Sequence, residues 1–242
     1  MCVNQAQAGC LQWLSAQSTD LDKRIGILGG SFDPVHRGHI ASVLELAERF
    51  DFEQVKLLPV GQHAIKKAPL AVAAHRKAML DLAVRSYPQL IVDDRELRRE
   101  GASYTIDTCC ELRSELGDEA TICFIVGSDV LVNLHLWQRW EELLGVVNLV
   151  VMRRAGISAN ESIAPEVMAL LGTSVAKIDR PYGQLASVRL GEYPISSTQL
   201  RRELVQRNDV AISTGALNGC HLWRESLPAG VWEYIVTHDL YR

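Results

Sequence analysis

No apolar run in the sequence approaches the length of a bilayer span, and the N-terminus lacks the basic start and long apolar centre of a secretory signal. Neither a membrane protein nor an exported one is expected. Charge of one sign is also missing. The chain carries 25 Lys and Arg against 29 Asp and Glu, a formal net charge of −4, so no basic surface advertises nucleic acid or acidic lipid. The six cysteines form no C-x-x-C pair and no zinc spacing. Cys109 and Cys110 are adjacent, which suits buried helix positions better than a disulfide ladder. The thiols are read as reduced and the protein as cytoplasmic. Internal repeats, low-complexity segments and a G-K-[ST] phosphate loop are absent as well.

What remains is a chain of 242 residues, 48% hydrophobic and 22% charged, which can bury a sizeable core. Residues 1–22 are rich in Gln, Ala and Ser and read as a flexible appended tail; residues 23–242 read as one domain. From Lys23 onward strand and helix patterns alternate. "RIGILGG", "QVKLLPV", "QLIVDD", "ATICFIVGSD" and "VVNLVVMRR" are apolar strand runs. "HIASVLELAERF", "AAHRKAMLDLAVRS" and "TIDTCCELRSEL" have helical spacing, and "WQRWEELL" is expected to be a helix ended by Gly145. A helix around 164–171, a weak strand near 185–190, a helix from about Ser197 and a last helix in "AGVWEYIVTH" complete the pattern. The order predicts an α/β fold: a doubly wound, Rossmann-like parallel sheet with a small C-terminal helical region. In such a sheet ligands bind beyond the carboxyl ends of the strands, where the strand order reverses.

The loop after the first strand reads "GGSFDPVHRGHI". Gly29 and Gly30 allow a sharp turn and close backbone approach to a ligand. Ser31 and Phe32 lie in the turn and can offer N–H groups. Gly38 sits at the start of a helix, whose free N–H groups and positive end favour an anion. His36 and His39 are three apart, so one helical face carries both toward that anion. Zinc ligation would need partners that no cluster supplies. A second segment, "YPISSTQLRREL", starts a helix with Ser197 and Thr198, whose hydroxyls and N–H groups are expected to be free; Arg201 follows one turn later with a fork suited to phosphate. Gly127 ends the most apolar strand and permits close approach. Asp129 can accept from ribose hydroxyls, or can be a structural acid at a helix start.

"GGSFDPVHRGH" resembles the signature of the nucleotidyltransferase superfamily whose H-x-G-H loop is shared with class I aminoacyl-tRNA synthetases. "YPISSTQLRREL" resembles its second signature, I-S-x-T-x-[IL]-R, beginning at Ile195. "SYTIDT", "FIVGSD" and "LWQRWEELL" resemble segments of bacterial nicotinate-nucleotide adenylyltransferases, in the same order, from about Arg24 to Arg242. The resemblance implies transfer of AMP from ATP to nicotinate mononucleotide, giving deamido-NAD and pyrophosphate, with Mg²⁺ carried by the ATP phosphates. It implies His36, His39 and Arg201 at the triphosphate. ATP would lie against Gly29, Gly30, Ser31, Phe32, Gly38, Gly127, Asp129, Ile195, Ser197 and Thr198, with Asp129 near the ribose. The pyridine nucleotide would meet Lys66, Tyr104, Thr105 and Trp137, the indole stacking on the cationic ring. Thr105 could equally be a helix cap, and Trp140 reads as core. One departure stands out: Ile65 falls where the family has a histidine. Residues 216–226 read as an insertion. A nicotinamide or dual-specificity enzyme, phosphopantetheine or cytidine substrates, and a non-catalytic nucleotide-binding module are the alternatives. A homo-oligomer is left open.

Overall fold

A computed structural model describes residues 23–63, 68–153, 163–191, 193–214 and 221–242. Six parallel strands make the main sheet: β1 (Arg24–Gly30), β2 (Gln54–Pro59), β4 (Leu90–Val92), β6 (Thr121–Gly127), β7 (Asn148–Arg153) and β8 (Leu185–Arg189). Their order is β4-β2-β1-β6-β7-β8. Two short strands, β3 (Gln62–His63) and β5 (Ala102–Ser103), pair separately in parallel. The helices are α1 (Arg37–Phe50), α2 (Ala73–Val84), α3 (Arg95–Arg98), α4 (Thr105–Leu116), α5 (Pro165–Leu171), α6 (Ser197–Thr214), α7 (His221–Ser226) and α8 (Val231–Thr237). The doubly wound sheet and the closing helical region agree with the sequence pattern.

The apolar runs become strands because both faces of the sheet are covered. Along β6, Cys123 and Ile125 join one core, while Ile122, Phe124 and Val126 join the other. β7 divides likewise, Val150 and Met152 against Leu149 and Val151. The first core includes Val43 and Leu46 of α1, Met79 and Leu80 of α2, Leu200 of α6 and Ile235 of α8. The second takes in Ile106, Cys109 and Leu112 of α4. Each such buried side chain contributes about 1.5–3 kcal/mol relative to exposure.

Two expectations need correcting. "WQRWEELL" is not an α-helix. Ser128–Leu136 and Trp140–Gly145 form 3₁₀ segments, and Arg139 between them is left-handed at φ 51°. Residues spaced by three suit a 3₁₀ turn as well as an α-helix, so Trp137 and Trp140 did not distinguish them. Cys110 is exposed although Cys109 is buried, because neighbouring residues on a helix point in different directions. The tail 1–22, Lys66, Ile65 and residues 216–220 of the insertion lie outside the described residues, while its remainder forms α7.

Candidate active site

Both β1 and β6 end in glycine, and between them the strand order reverses. The chain runs from β1 outward to β2 and β4, then returns to lay β6, β7 and β8 on the other side. Loops after strands on the two sides of that point diverge and leave a crevice.

The β1–α1 loop fills it. His36 is the N-cap of α1 and is 3% exposed. Its Nδ1 accepts the His39 backbone N–H at 3.3 Å, while the His36 backbone N–H donates to His39 Nδ1 at 3.2 Å. The pair is a capping box in which both residues are histidines. Their rings stack with centroids 3.6 Å apart. Because each Nδ1 accepts, a neutral ring of either residue carries its proton on Nε2, the nitrogen at the far end of the ring. The box thus sets the tautomer as well as the helix start. Gly38 between them has its own reason: a Cβ there would lie 3.0 Å from His36 Nδ1 and 3.5 Å from Tyr193 Cβ. Phe32, 1% exposed, is held at φ 47°, a conformation costly for an aromatic residue, and its ring meets His39 edge-on at 5.1 Å.

Two clefts flank this loop. One, of about 430 Å³, lies between the start of α1, the end of β7 and the segment before α6; it is lined by His36, Gly38, Arg153, Tyr193, Ile195 and Ser196 among others. Glu45 of α1 ties that segment down, accepting from the Gly191 N–H at 3.0 Å and the Tyr193 hydroxyl at 2.9 Å. The other cleft, of about 330 Å³, lies beyond β1, β2 and β6. Gly29, Gly30, Tyr104, Thr105, Gly127 and Trp137 are in its wall. Trp137 stands edge-on to Phe124 at 6.4 Å. A Cβ on Gly127 would push aside the exposed Asp129 carboxylate, which lies in that space. Glu96 also lines this cleft. Burial raises its pKa, against the hydrogen bond from the Thr108 hydroxyl at 2.8 Å and the nearby Arg99.

Residues 27–203 match the cytidylyltransferase-like family. The chain is 37% identical over 223 residues to a protein of Hahella chejuensis named "Probable nicotinate-nucleotide adenylyltransferase", covering 90% of this chain and 95% of that one. A protein of the same name from Laribacter hongkongensis is 38% identical over 221 residues, covering 90% and 94%.

The chain belongs to the cytidylyltransferase-like family.

The fold agrees with that of a Plasmodium falciparum nicotinic acid mononucleotide adenylyltransferase complexed with NaAD, at a TM-score of 0.66 and 18% identity, over 90% of this chain and 97% of that one.

Nine of the expected residues line the two clefts, and Ser31, Phe32, His39, Ser197, Thr198 and Arg201 line neither. His36, Gly38 and Ile195 border the first cleft; Gly29, Gly30, Gly127, Tyr104, Thr105 and Trp137 border the second. Asp129 is exposed on the 3₁₀ segment after β6. The second signature differs from expectation. Ser196 caps α6, its hydroxyl accepting the Gln199 N–H at 3.2 Å. The Ser197 hydroxyl donates to the Pro34 carbonyl at 3.0 Å, and the Thr198 hydroxyl accepts from Arg201 at 3.3 Å, so neither is free. Arg201 donates to the Asp33 carbonyl at 2.6 Å. Arg201 thus ties α6 to the backbone of the β1–α1 loop. Thr105 is not the cap of α4; Tyr104 is, with no side-chain cap bond.

Sequence reasoning missed Asp33, Arg76 and Arg153. Arg76 is 2% exposed and donates to the carbonyls of Ala71, Ser31 and Val60 at 3.2, 2.9 and 2.8 Å. Burial lowers its pKa, while Asp33 and Tyr241 oppose the shift. An arginine interrupting the apolar period of "AAHRKAML" was the one available signal. Among the described residues no three His, Cys, Asp or Glu side chains converge as a cation cage.

Proposed function

We propose that the protein is a cytoplasmic nicotinate-nucleotide adenylyltransferase that moves AMP from ATP to nicotinate mononucleotide. The relatives' names support this reading. The observation that carries it is the histidine capping box at the α1 N-terminus, set between two clefts that share one loop.

ATP takes the cleft beside His36, Ile195 and Arg153, with its triphosphate at the start of α1. The pyridine nucleotide takes the cleft beside Trp137. Its phosphate oxygen attacks the α-phosphorus in line; the bond to the β-phosphate oxygen breaks, and pyrophosphate leaves with that electron pair. The attacking group is already an anion, so no protein nucleophile or base is required. Catalysis is positioning plus charge stabilisation. The Nε2–H donors of His36 and His39 and the N–H groups of α1 meet the charge that develops on the phosphate oxygens. The donors present are suited to an anion, and Mg²⁺ held by the triphosphate's own oxygens would neutralise part of its charge.

The acid-specific contact belongs to α4. Trp137 ends a 3₁₀ segment and its own N–H donates to the Leu134 carbonyl. The opening N–H groups of α4, next to Tyr104 and Thr105 in the same cleft, have no intrahelical acceptor and suit a carboxylate.

The test is pyrophosphate release with ATP and a panel of acceptors: nicotinate and nicotinamide mononucleotides, phosphopantetheine and a cytidylyl acceptor with CTP. Turnover should be fastest with nicotinate mononucleotide and should stop in excess chelator. Preference for any other acceptor would overturn the reading.

A further inference from the structure

Asp33, 2% exposed, is held on both oxygens of its carboxylate. Its Oδ2 accepts the Leu70 N–H at 2.8 Å and its Oδ1 accepts the Ala71 N–H at 3.0 Å. The third partner comes from the far end of the sequence. The Tyr241 hydroxyl donates to Asp33 Oδ1 at 2.8 Å. Tyr241 follows α8, is 7% exposed, and sits at φ 62°. An aromatic side chain held in the left-handed region needs its surroundings to over-determine it. Burial and the adjacent Asp33 carboxylate both push the phenol pKa up, so the hydroxyl stays a donor.

What Asp33 holds is the phosphate site. Its backbone carbonyl takes the Arg201 guanidinium, the Pro34 carbonyl takes the Ser197 hydroxyl, and His36 begins the capping box directly afterward. We infer that Tyr241 is a positioning residue for adenylyl transfer, fixing through Asp33 the loop that carries His36, His39 and the anchor of Arg201. The inference rests on the proposed function.

The test compares the full-length wild type with Tyr241→Phe and with 4-aminophenylalanine placed at position 241, which keeps an N–H donor at the ring's para position. Because the loop meets charge that develops at the α-phosphate, kcat should fall in Tyr241→Phe by about fivefold to tenfold, below the loss that a full ångström of misplacement can bring. KM for nicotinate mononucleotide should stay within about twofold, since its ring cleft lies across the loop. The amino variant should recover most of the lost kcat. An unchanged kcat in Tyr241→Phe, a loss that the amino variant does not recover, or a Tyr241→Phe chain that does not fold would each overturn the inference; the last would make the hydroxyl a folding contact. A wild type that releases no pyrophosphate would overturn the functional reading, and this inference with it. An active wild type beside an unaffected Tyr241→Phe would overturn the inference alone.

Discussion

His39 does two jobs with two nitrogens. Nδ1 accepts the His36 backbone N–H, while Nε2 is the donor proposed for phosphate. His39→Ala removes both. Its kcat should drop by about 10²–10³, the span of losing one preorganised donor. Half of a capping box goes too, so stability should fall by about 1 kcal/mol. Pyrophosphate release and a thermal melt read the two effects separately, and near-normal turnover would take His39 out of the mechanism. Glu96 offers a second residue-level test. Burial raises its pKa above that of an unfolded carboxyl, so the neutral acid favours the fold at low pH. That contribution is lost as the pH rises through the folded value. Glu96→Gln stays neutral throughout. Its Tm relative to wild type should therefore climb as the pH rises above the ordinary carboxyl value of about 4.5. A flat difference would show that Glu96 holds its proton no more tightly in the folded chain.

At the scale of elements, the proposed contact that separates acid from amide lies at the start of α4. Stacking on Trp137 attracts either pyridinium, whereas an N-terminal turn prefers an acceptor-only carboxylate. A carboxamide would turn its NH₂ toward an N–H donor, at a cost of about 1–3 kcal/mol per unpaired buried group. The kcat/KM for nicotinate mononucleotide should exceed that for the amide by at least about tenfold. Trp137→Ala should weaken both substrates and keep most of the ratio. Equal efficiency in the wild type would refute the assignment of α4. Elements such as β6 and α1 were legible because each face of a covered sheet and each turn of an amphipathic helix leaves a periodic apolar record. The Trp137–Trp140 segment was not, since spacing by three fits two helix types and Arg139 carries none of the usual glycine or asparagine signal for a left-handed residue. Asp33, Arg76 and Tyr241 escaped for another reason. Tyr241 and Asp33 are 208 positions apart, and no local pattern records such a pairing.

For the molecule as a whole, the ties of the fold among the described residues begin at Lys23, whose carbonyl accepts the Thr121 N–H, and at Arg24, which donates to the carbonyls of Phe50 and Ile178. Deleting residues 1–22 removes none of these. The truncated enzyme should keep kcat/KM within about threefold, under about 1 kcal/mol in the barrier. A large loss from a truncation that still melts cooperatively would bring the tail into the site. The two clefts meet along a single loop, with Gly29 and Gly30 in one wall and His36 in the other. A chemist could exploit that shared border. Under the proposed function, a compound tethering a purine nucleoside to a pyridine carboxylate would compete with both substrates at once, and its second half would bind at the effective concentration set by the tether rather than by solution. The most productive tether would be the one that reproduces the short distance over which the loop keeps its two tenants apart.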